Sequence, residues 1–198
     1  GAATAGEVGG GSDISWTYAQ IGFVQQDGND FFESDGFDVM GSVALSDNWH
    51  AGLRYTALSG DSDYYFFSQD IDVDTFAISV GHNAGLTKNS QAYLDLGYFD
   101  SDLDVDGLDG GEGDSTGIQL TAGLRYQPSP KLELGAAMIY TNGDIDNVDV
   151  SGGDLGFNDI SFSMMGQYFF VPEFSVGARA LFDAGTSSEF TSGDSDEF

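Results

Sequence analysis

The sequence predicts an all-β protein folded as an antiparallel, up-and-down transmembrane β-barrel, and three observations support this fold class. First, apolar side chains alternate with polar or small ones over stretches of about nine to eleven residues, the length of a tilted strand that crosses a bilayer. Second, pairs of such stretches recur with a period of about 40 residues. Third, the connections alternate strictly between short turns and long acidic segments, as they do in transmembrane barrels.

The clearest pair of strands lies within residues 117–140, where both halves place apolar residues at every second position. A Pro-Ser-Pro sequence at 128–130 separates the halves and predicts a turn, because proline cannot donate a ladder hydrogen bond. The same alternation predicts nine strands between Ser15 and Phe182. Short turns are predicted at 46–48, 87–89, 128–130 and 171–173, and long connections at 27–36, 59–72, 100–115, 143–158 and 184–195.

The chain divides into two parts, a flexible N-terminal tail at 1–13 and a barrel domain at 14–198. Bacterial single-chain barrels have an even number of strands, whereas nine are visible here. We therefore infer a ten-stranded parent whose last strand lies beyond Phe198. The alternatives are a different closure, or an open edge that is completed by another chain, since an unpaired edge in lipid is costly.

The charge balance excludes one class of partner and suggests another. With 33 acidic residues against five Lys and Arg, the net charge is −28, which argues against binding of nucleic acid. Most of the acidic residues lie in the long connections, where the simplest interpretation is a hydrated surface. Cysteine is absent, so the chain forms no disulfides.

One acidic stretch has the spacing of a metal site. Asp102, Asp104 and Asp106, followed by Gly107, match the first half of a calcium loop of the form D-x-D-x-D-G. The twelfth position would be Gly113, and flanking helices are not predicted, so this is not an EF-hand. Weak binding of Ca²⁺ or Mg²⁺ and an ordinary acidic connection both remain open, and no other cofactor is expected.

A set of polar residues shares the parity opposite to the apolar face. In a membrane barrel that parity faces the interior, or lumen, whereas in a soluble sandwich it would face water. Parity alone cannot separate the two, but aromatic residues near both strand ends and the loop asymmetry favour the barrel. The candidate lumen network is Arg54, Arg125, Arg179, Asp38, Asp95, Glu133, Gln119 and Gln167. These residues either fill the lumen as a paired network or line a narrow ion path.

The predicted turn also fixes an expected contact in the lumen. If Gln127 pairs with Lys131, then Arg125 lies directly opposite Glu133 and can form an ion pair with it. Asp95 is expected to reach Arg125 from the neighbouring strand.

The two histidines, His50 and His82, both lie beside short turns, away from the long-loop rim where a membrane-barrel enzyme would be expected to hold its catalytic groups. No Ser/His/Asp set can be assembled there, so we interpret both as structural.

Four segments resemble the small outer-membrane β-barrel proteins of Gram-negative bacteria. They are FDVMGSVALSDNWHAGLRYTAL, TFAISVGHNAGLTKNSQAYLDLGYFD, QLTAGLRYQPSPKLELGAAMIY and SFSMMGQYFFVPEFSVGARALF, and the resemblance extends over about 14–184. It implies a signal peptide already removed, insertion by the outer-membrane assembly machinery, and long loops that face the cell exterior with short turns in the periplasm. The C-terminal Phe198 fits this family, but Asp194 and Asp196 occupy positions where its terminal strand is apolar.

The sequence thus favours a non-enzymatic outer-membrane barrel with a structural or surface-interaction role and a largely plugged lumen. The alternative is a narrow pore that prefers cations, drawn by the acidic loops, and a lower alternative is an outer-membrane enzyme. Expected partners are outer-membrane lipid, the assembly machinery, and self-association or a second chain at the open edge.

Overall fold

The computed structural model describes residues 13–28, 32–64, 67–106, 111–146 and 155–190, and these form nine strands. No helix among them is long and apolar enough to cross a membrane. The strands are β1 (Tyr18–Gly28), β2 (Phe32–Ala44), β3 (Trp49–Tyr64), β4 (Phe67–Thr87), β5 (Ser90–Asp106), β6 (Gly111–Ser129), β7 (Leu132–Asp146), β8 (Leu155–Val171) and β9 (Phe174–Phe190).

The strands form one closed barrel in chain order, which confirms the predicted fold class. Consecutive strands are antiparallel, and β1 closes the barrel by pairing in parallel with β9, from Ala19 opposite Phe174 to Asp27 opposite Phe182. An odd number of alternating strands makes the first and last run in the same direction, so closure requires a parallel pair. Of the possibilities that the odd number of strands left open, the described strands show a different closure, for which neither a partner chain at an open edge nor a tenth strand is needed.

The outside of the barrel is apolar and the inside polar. Large apolar side chains point outward on every strand and are about half exposed, as with Ile21 at 49%, Leu53 at 52% and Leu94 at 51%. In water so extensive an apolar surface would be unfavourable, whereas in a bilayer it contacts lipid. Inward positions instead hold buried charged and amide groups, such as Arg125 and Gln167. The apolar face of the strands therefore contacts lipid and not a second sheet.

The strands continue well into the predicted long connections, so the predicted bounds of those connections are wrong. β3 runs to Tyr64 and β4 begins at Phe67, so most of 59–72 is strand, and β5 and β6 likewise take up most of 100–115. The reason is a switch in pattern along β4: the outward series passes from Phe76 to exposed Asp74 and Asp72. Beyond the membrane the outer face meets water, so acidic residues replace apolar ones while the strand continues.

Candidate functional site

The best-connected group in the lumen is an ion pair near the short-turn end of the barrel. Arg125 on β6 donates from Nε to Oε1 of Glu133 at 2.6 Å and from a terminal nitrogen to Oε2 at 2.9 Å. Both side chains are almost fully buried, at 1% and 0% exposure. Two parallel hydrogen bonds between a guanidinium and a carboxylate fix both groups in one geometry.

The strand register behind this contact differs from the predicted one. Arg125 lies opposite Gly135 and not opposite Glu133, because the turn falls later in the chain than predicted and an irregularity between Tyr126 and Ser129 then changes the register by one residue. β6 continues through Pro128, and the turn falls at 130–131. The total difference from the predicted register is two residues, so both side chains still face inward and the long arginine reaches its partner diagonally.

Two further side chains extend the ion pair around the barrel wall. Gln167 on β8 donates to Oε1 of Glu133 at 2.8 Å, and Ser175 on β9 donates to the amide oxygen of Gln167 at 3.1 Å. Gln167 and Ser175 are also almost fully buried. Four consecutive strands, β6 to β9, are therefore joined by one chain of side-chain hydrogen bonds at the short-turn end.

The short-turn end is closed by residues 13–17, the N-terminal plug, which precede β1. The Trp16 indole nitrogen donates to Gln91 Oε1 at 2.8 Å, and Gln91 donates in turn to the Ile14 carbonyl at 3.3 Å. Arg125 donates to the Ser15 carbonyl at 3.1 Å, and its guanidinium lies 4.1 Å from the centre of the Trp16 ring. The alternation of residues did not predict this plug, although Trp16 lies at an inward-facing position of the pattern, where a tryptophan is unexpected.

His50 and Asp95 form a second pair beside the plug. His50 Nε2 lies 2.9 Å from Asp95 Oδ1, and the imidazole stacks on Trp16 with ring centres 3.4 Å apart. The two residues sit on β3 and β5 and meet across Gly81 of β4, where any Cβ atom would collide with both. Asp95 therefore pairs with His50, and the expectation that it reaches Arg125 is wrong, because Asp95 lies opposite Thr121 on β6.

The remaining predicted lumen residues lie further along the strands, towards the long-loop end. Asp38 Oδ2 lies 3.9 Å from Arg54 Nε and 3.7 Å from a terminal nitrogen of Arg179, so one carboxylate stands between two guanidinium groups. Gln119 faces the same central cavity as both arginines. The predicted network is thus split into a tightly bonded group at the short-turn end and a looser group in the middle of the barrel.

Acidic side chains form rows on the outer face of the strand extensions. Asp74, Asp102 and Asp114 lie directly opposite one another across β4, β5 and β6, and Asp72 lies opposite Asp104 in the next row. All five are exposed and line a single cleft. No set of three His, Cys, Asp or Glu within the described ranges has the geometry of a metal site, and the side chain of Asp106 is not among those that the structure describes.

These rows have an electrostatic cost, since like charges directly opposite in a sheet are destabilising. Loss of solvent contact, followed by the charges of Asp114 and Asp100, raises the pKa of Asp102, which lies beyond the apolar band. A raised carboxyl pKa in the folded state means that the fold binds a proton more tightly than the unfolded chain. Stability contributed by this group is therefore present at low pH and is lost as the pH rises through the folded pKa.

We accordingly expect Asp102→Asn to raise the melting temperature at pH 7 and to leave it nearly unchanged at pH 3, where the carboxyl is protonated in both states. Asp47→Asn, at an exposed position in a short turn, is the matched control and should have little effect at either pH. The measurement is thermal unfolding in detergent. Equal effects of the two substitutions at pH 7 would show that the rows carry no local repulsion.

Calcium or magnesium should relieve the same repulsion. At matched ionic strength either ion is expected to raise the melting temperature of the wild type more than NaCl does, and more than it raises that of Asp102→Asn. Identical effects of the divalent and monovalent salts would leave only screening.

A closed barrel with an apolar exterior, a polar lumen and acidic strand extensions defines the class of transmembrane β-barrel proteins. The family model of the outer membrane protein β-barrel domain matches residues 1–167 of the chain. The chain therefore belongs to the outer-membrane β-barrel domain family, as its resemblance to small barrels predicted. No curated protein and no solved structure matches the sequence significantly.

Proposed function

We propose that the protein is a non-enzymatic outer-membrane barrel with a structural or surface-interaction role, closed to solute passage by its own N-terminal plug. The observation that carries the proposal is the position of Trp16, which is buried at the short-turn end between His50 and Arg125. Inward-facing apolar side chains on other strands, Val24 and Phe99 among them, are buried towards the long-loop end. A lumen filled in this way supports a rigid scaffold for the acidic extensions.

The alternative of a cation-preferring pore receives less support. A cation that passed the acidic rows would meet Arg54 and Arg179 in the middle of the barrel, where they face a single carboxylate. Catalysis is also disfavoured, since His50 is buried against Trp16 and Asp95, while His82 points outward beside Trp49. Neither histidine faces a nucleophilic side chain among the described contacts.

Single-channel recording in planar bilayers tests the proposal. With the purified, refolded barrel we expect no resolved openings at physiological ionic strength, because the plug lies at the short-turn end and many lumen side chains are buried. Regular stepwise conductance in the intact protein would overturn the plugged interpretation, and cation selectivity of those steps would favour the pore.

The orientation forms part of the proposal, with short turns in the periplasm and acidic extensions outside the cell. Lys88 and Lys131, the two lysines of the chain, are both exposed at the short-turn end. A membrane-impermeant amine reagent should therefore fail to label the protein on intact cells and should label both lysines once the outer membrane is permeabilised.

Asp104→Lys provides the matched control, because it places an amine on the exposed outer face of the β5 extension. This variant should be labelled on intact cells. Labelling of Lys88 in the wild type on intact cells would reverse the orientation.

A further inference from the structure

The middle of the lumen holds a cavity with both polar and apolar walls, bounded on the short-turn side by Trp16 and Tyr18. Its volume is about 90 Å³, which exceeds the roughly 30 Å³ that one water molecule occupies in the liquid. Hydroxyl and amide groups from several strands face into it, and so do two guanidinium groups. The polar residues of its wall that matter here are Arg54, Arg179, Ser79, Gln119, Thr121 and Ser163.

The two arginines of this cavity share one carboxylate at distances too long for hydrogen bonds. Asp38 Oδ2 is 3.9 Å from Arg54 and 3.7 Å from Arg179, whereas N–H···O bonds span about 2.7–3.2 Å. The other nearby carboxylate, Asp95, is held by His50 at 2.9 Å. Neither arginine is therefore saturated by Asp38, and Asp95, which lines the same cavity, already has a hydrogen-bond partner in His50.

Both guanidinium groups have hydrogen-bond donors that no described residue satisfies. The Nε atoms of Arg54 and Arg179 are buried, and no acceptor among the described residues lies within hydrogen-bond distance. One terminal nitrogen of Arg54 donates to the thioether of Met40 at 3.2 Å, and a thioether is a weak acceptor. Arg179 is only 8% exposed, so its charge is largely removed from bulk water. Buried charges of this kind are normally paired and hydrogen-bonded.

We propose that this cavity binds one small monovalent anion of the halide class between Arg54 and Arg179. The anion supplies the negative charge and the acceptor that Asp38 alone does not provide, while the hydroxyl groups of Ser79, Thr121 and Ser163 add neutral donors to the cavity wall. The site lies inside a plugged barrel, so it holds the anion as a fixed component of the lumen and does not conduct it. A second anion is disfavoured by repulsion from the first and from the carboxylate of Asp38.

Trp16 provides a direct reporter, because it lines the same cavity and the other tryptophan, Trp49, points outward. In a Trp49→Phe background, the protein is folded from denaturant in the presence of increasing iodide at constant ionic strength. We expect saturable quenching of Trp16 fluorescence, which chloride competes away and which caesium, a cationic quencher, does not reproduce. Linear quenching with no saturation would indicate collisions only and would overturn the proposal.

Three substitutions separate an anion site from a merely structural charge cluster. Arg54→Gln and Arg179→Gln should each weaken the saturable component about tenfold or more, since each removes a charged hydrogen bond. Asp38→Asn should tighten it by about the same factor, because it removes the competing negative charge. If Asp38→Asn instead weakens iodide binding as the arginine substitutions do, the three residues form only a structural cluster.

A control keeps the test decisive if a glutamine variant fails to fold. Arg54 is 29% exposed to the lumen, so Arg54→Lys is the mildest change at the site and retains the positive charge. This variant should fold and keep saturable binding, with an affinity between those of the wild type and Arg54→Gln. Loss of the fast-migrating folded band in unheated gel samples identifies variants that do not fold, and wild-type affinity in a folded Arg179→Gln barrel would overturn the assignment.

Discussion

Replacing Glu133 with Gln is expected to lower the free energy of unfolding by about 3–5 kcal/mol, because it leaves the buried Arg125 charge without its carboxylate. Arg125 is 1% exposed and donates two hydrogen bonds to Glu133, so water cannot take the place of the lost partner. The substituted amide would also disturb Gln167, which donates to the same oxygen. The measurement is equilibrium unfolding in urea of the barrel folded in lipid vesicles.

The matched control is Glu173→Gln, which removes the same charge at an exposed position in a short turn. Its effect should stay within about 0.5 kcal/mol. Adding Arg125→Met to Glu133→Gln should restore part of the lost stability, since no buried charge remains unpaired. Additive effects of the two substitutions in this cycle would contradict the coupling that the ion-pair geometry implies.

Replacing Trp16 with Ala is expected to lower the free energy of unfolding by about 3–5 kcal/mol, as removal of a large buried aromatic side chain does. Trp16 stacks on His50, lies under the Arg125 guanidinium and donates to Gln91, and each of these contacts is lost together with its packing. The loss should be accompanied by greater protease sensitivity of residues 13–17, whose hydrogen bonds the indole helps to shield.

Trp49→Ala is the control for this substitution, because it removes the same side chain from the outer face, where it is 50% exposed. We expect a smaller loss, about 1–2 kcal/mol, since lipid or detergent can fill the space that the indole leaves. Equal losses at the two positions would mean that the plug contributes nothing beyond the size of the side chain.

The alternation of side chains by itself determined the strands, their number and the faces of their residues. It placed Arg125, Glu133 and Gln167 on one face, because in a strand every second residue points to the same side. The short turns and the aromatic ends of the strands then decided that this face is the lumen. These properties are local, so they could be predicted from the sequence without knowledge of any long-range contact.

The ion pair of Arg125 with Glu133 was predicted from the sequence, but the strand register and the other partners were decided by the tertiary structure. The turn at 130–131 and the register irregularity between Tyr126 and Ser129 together placed Arg125 opposite Gly135, two residues from its predicted partner, and Gly81 allowed Asp95 to meet His50. The parallel pairing of β1 with β9 made nine strands sufficient for closure. The meeting of His50 with Asp95 and the pairing of β1 with β9 depend on residues that are far apart in the chain, whereas the register of β6 with β7 is decided within one hairpin.

The plug illustrates the same division most clearly. In the sequence Trp16 lies at an inward-facing position, where polar residues are expected. No residue near it in the chain explains why a tryptophan stands there. Its reason lies in Gln91 and Arg125, which are 75 and 109 positions away along the chain and contact the plug only across the closed lumen. Side-chain periodicity is a property of each strand, whereas filling a lumen is a property of all nine strands together.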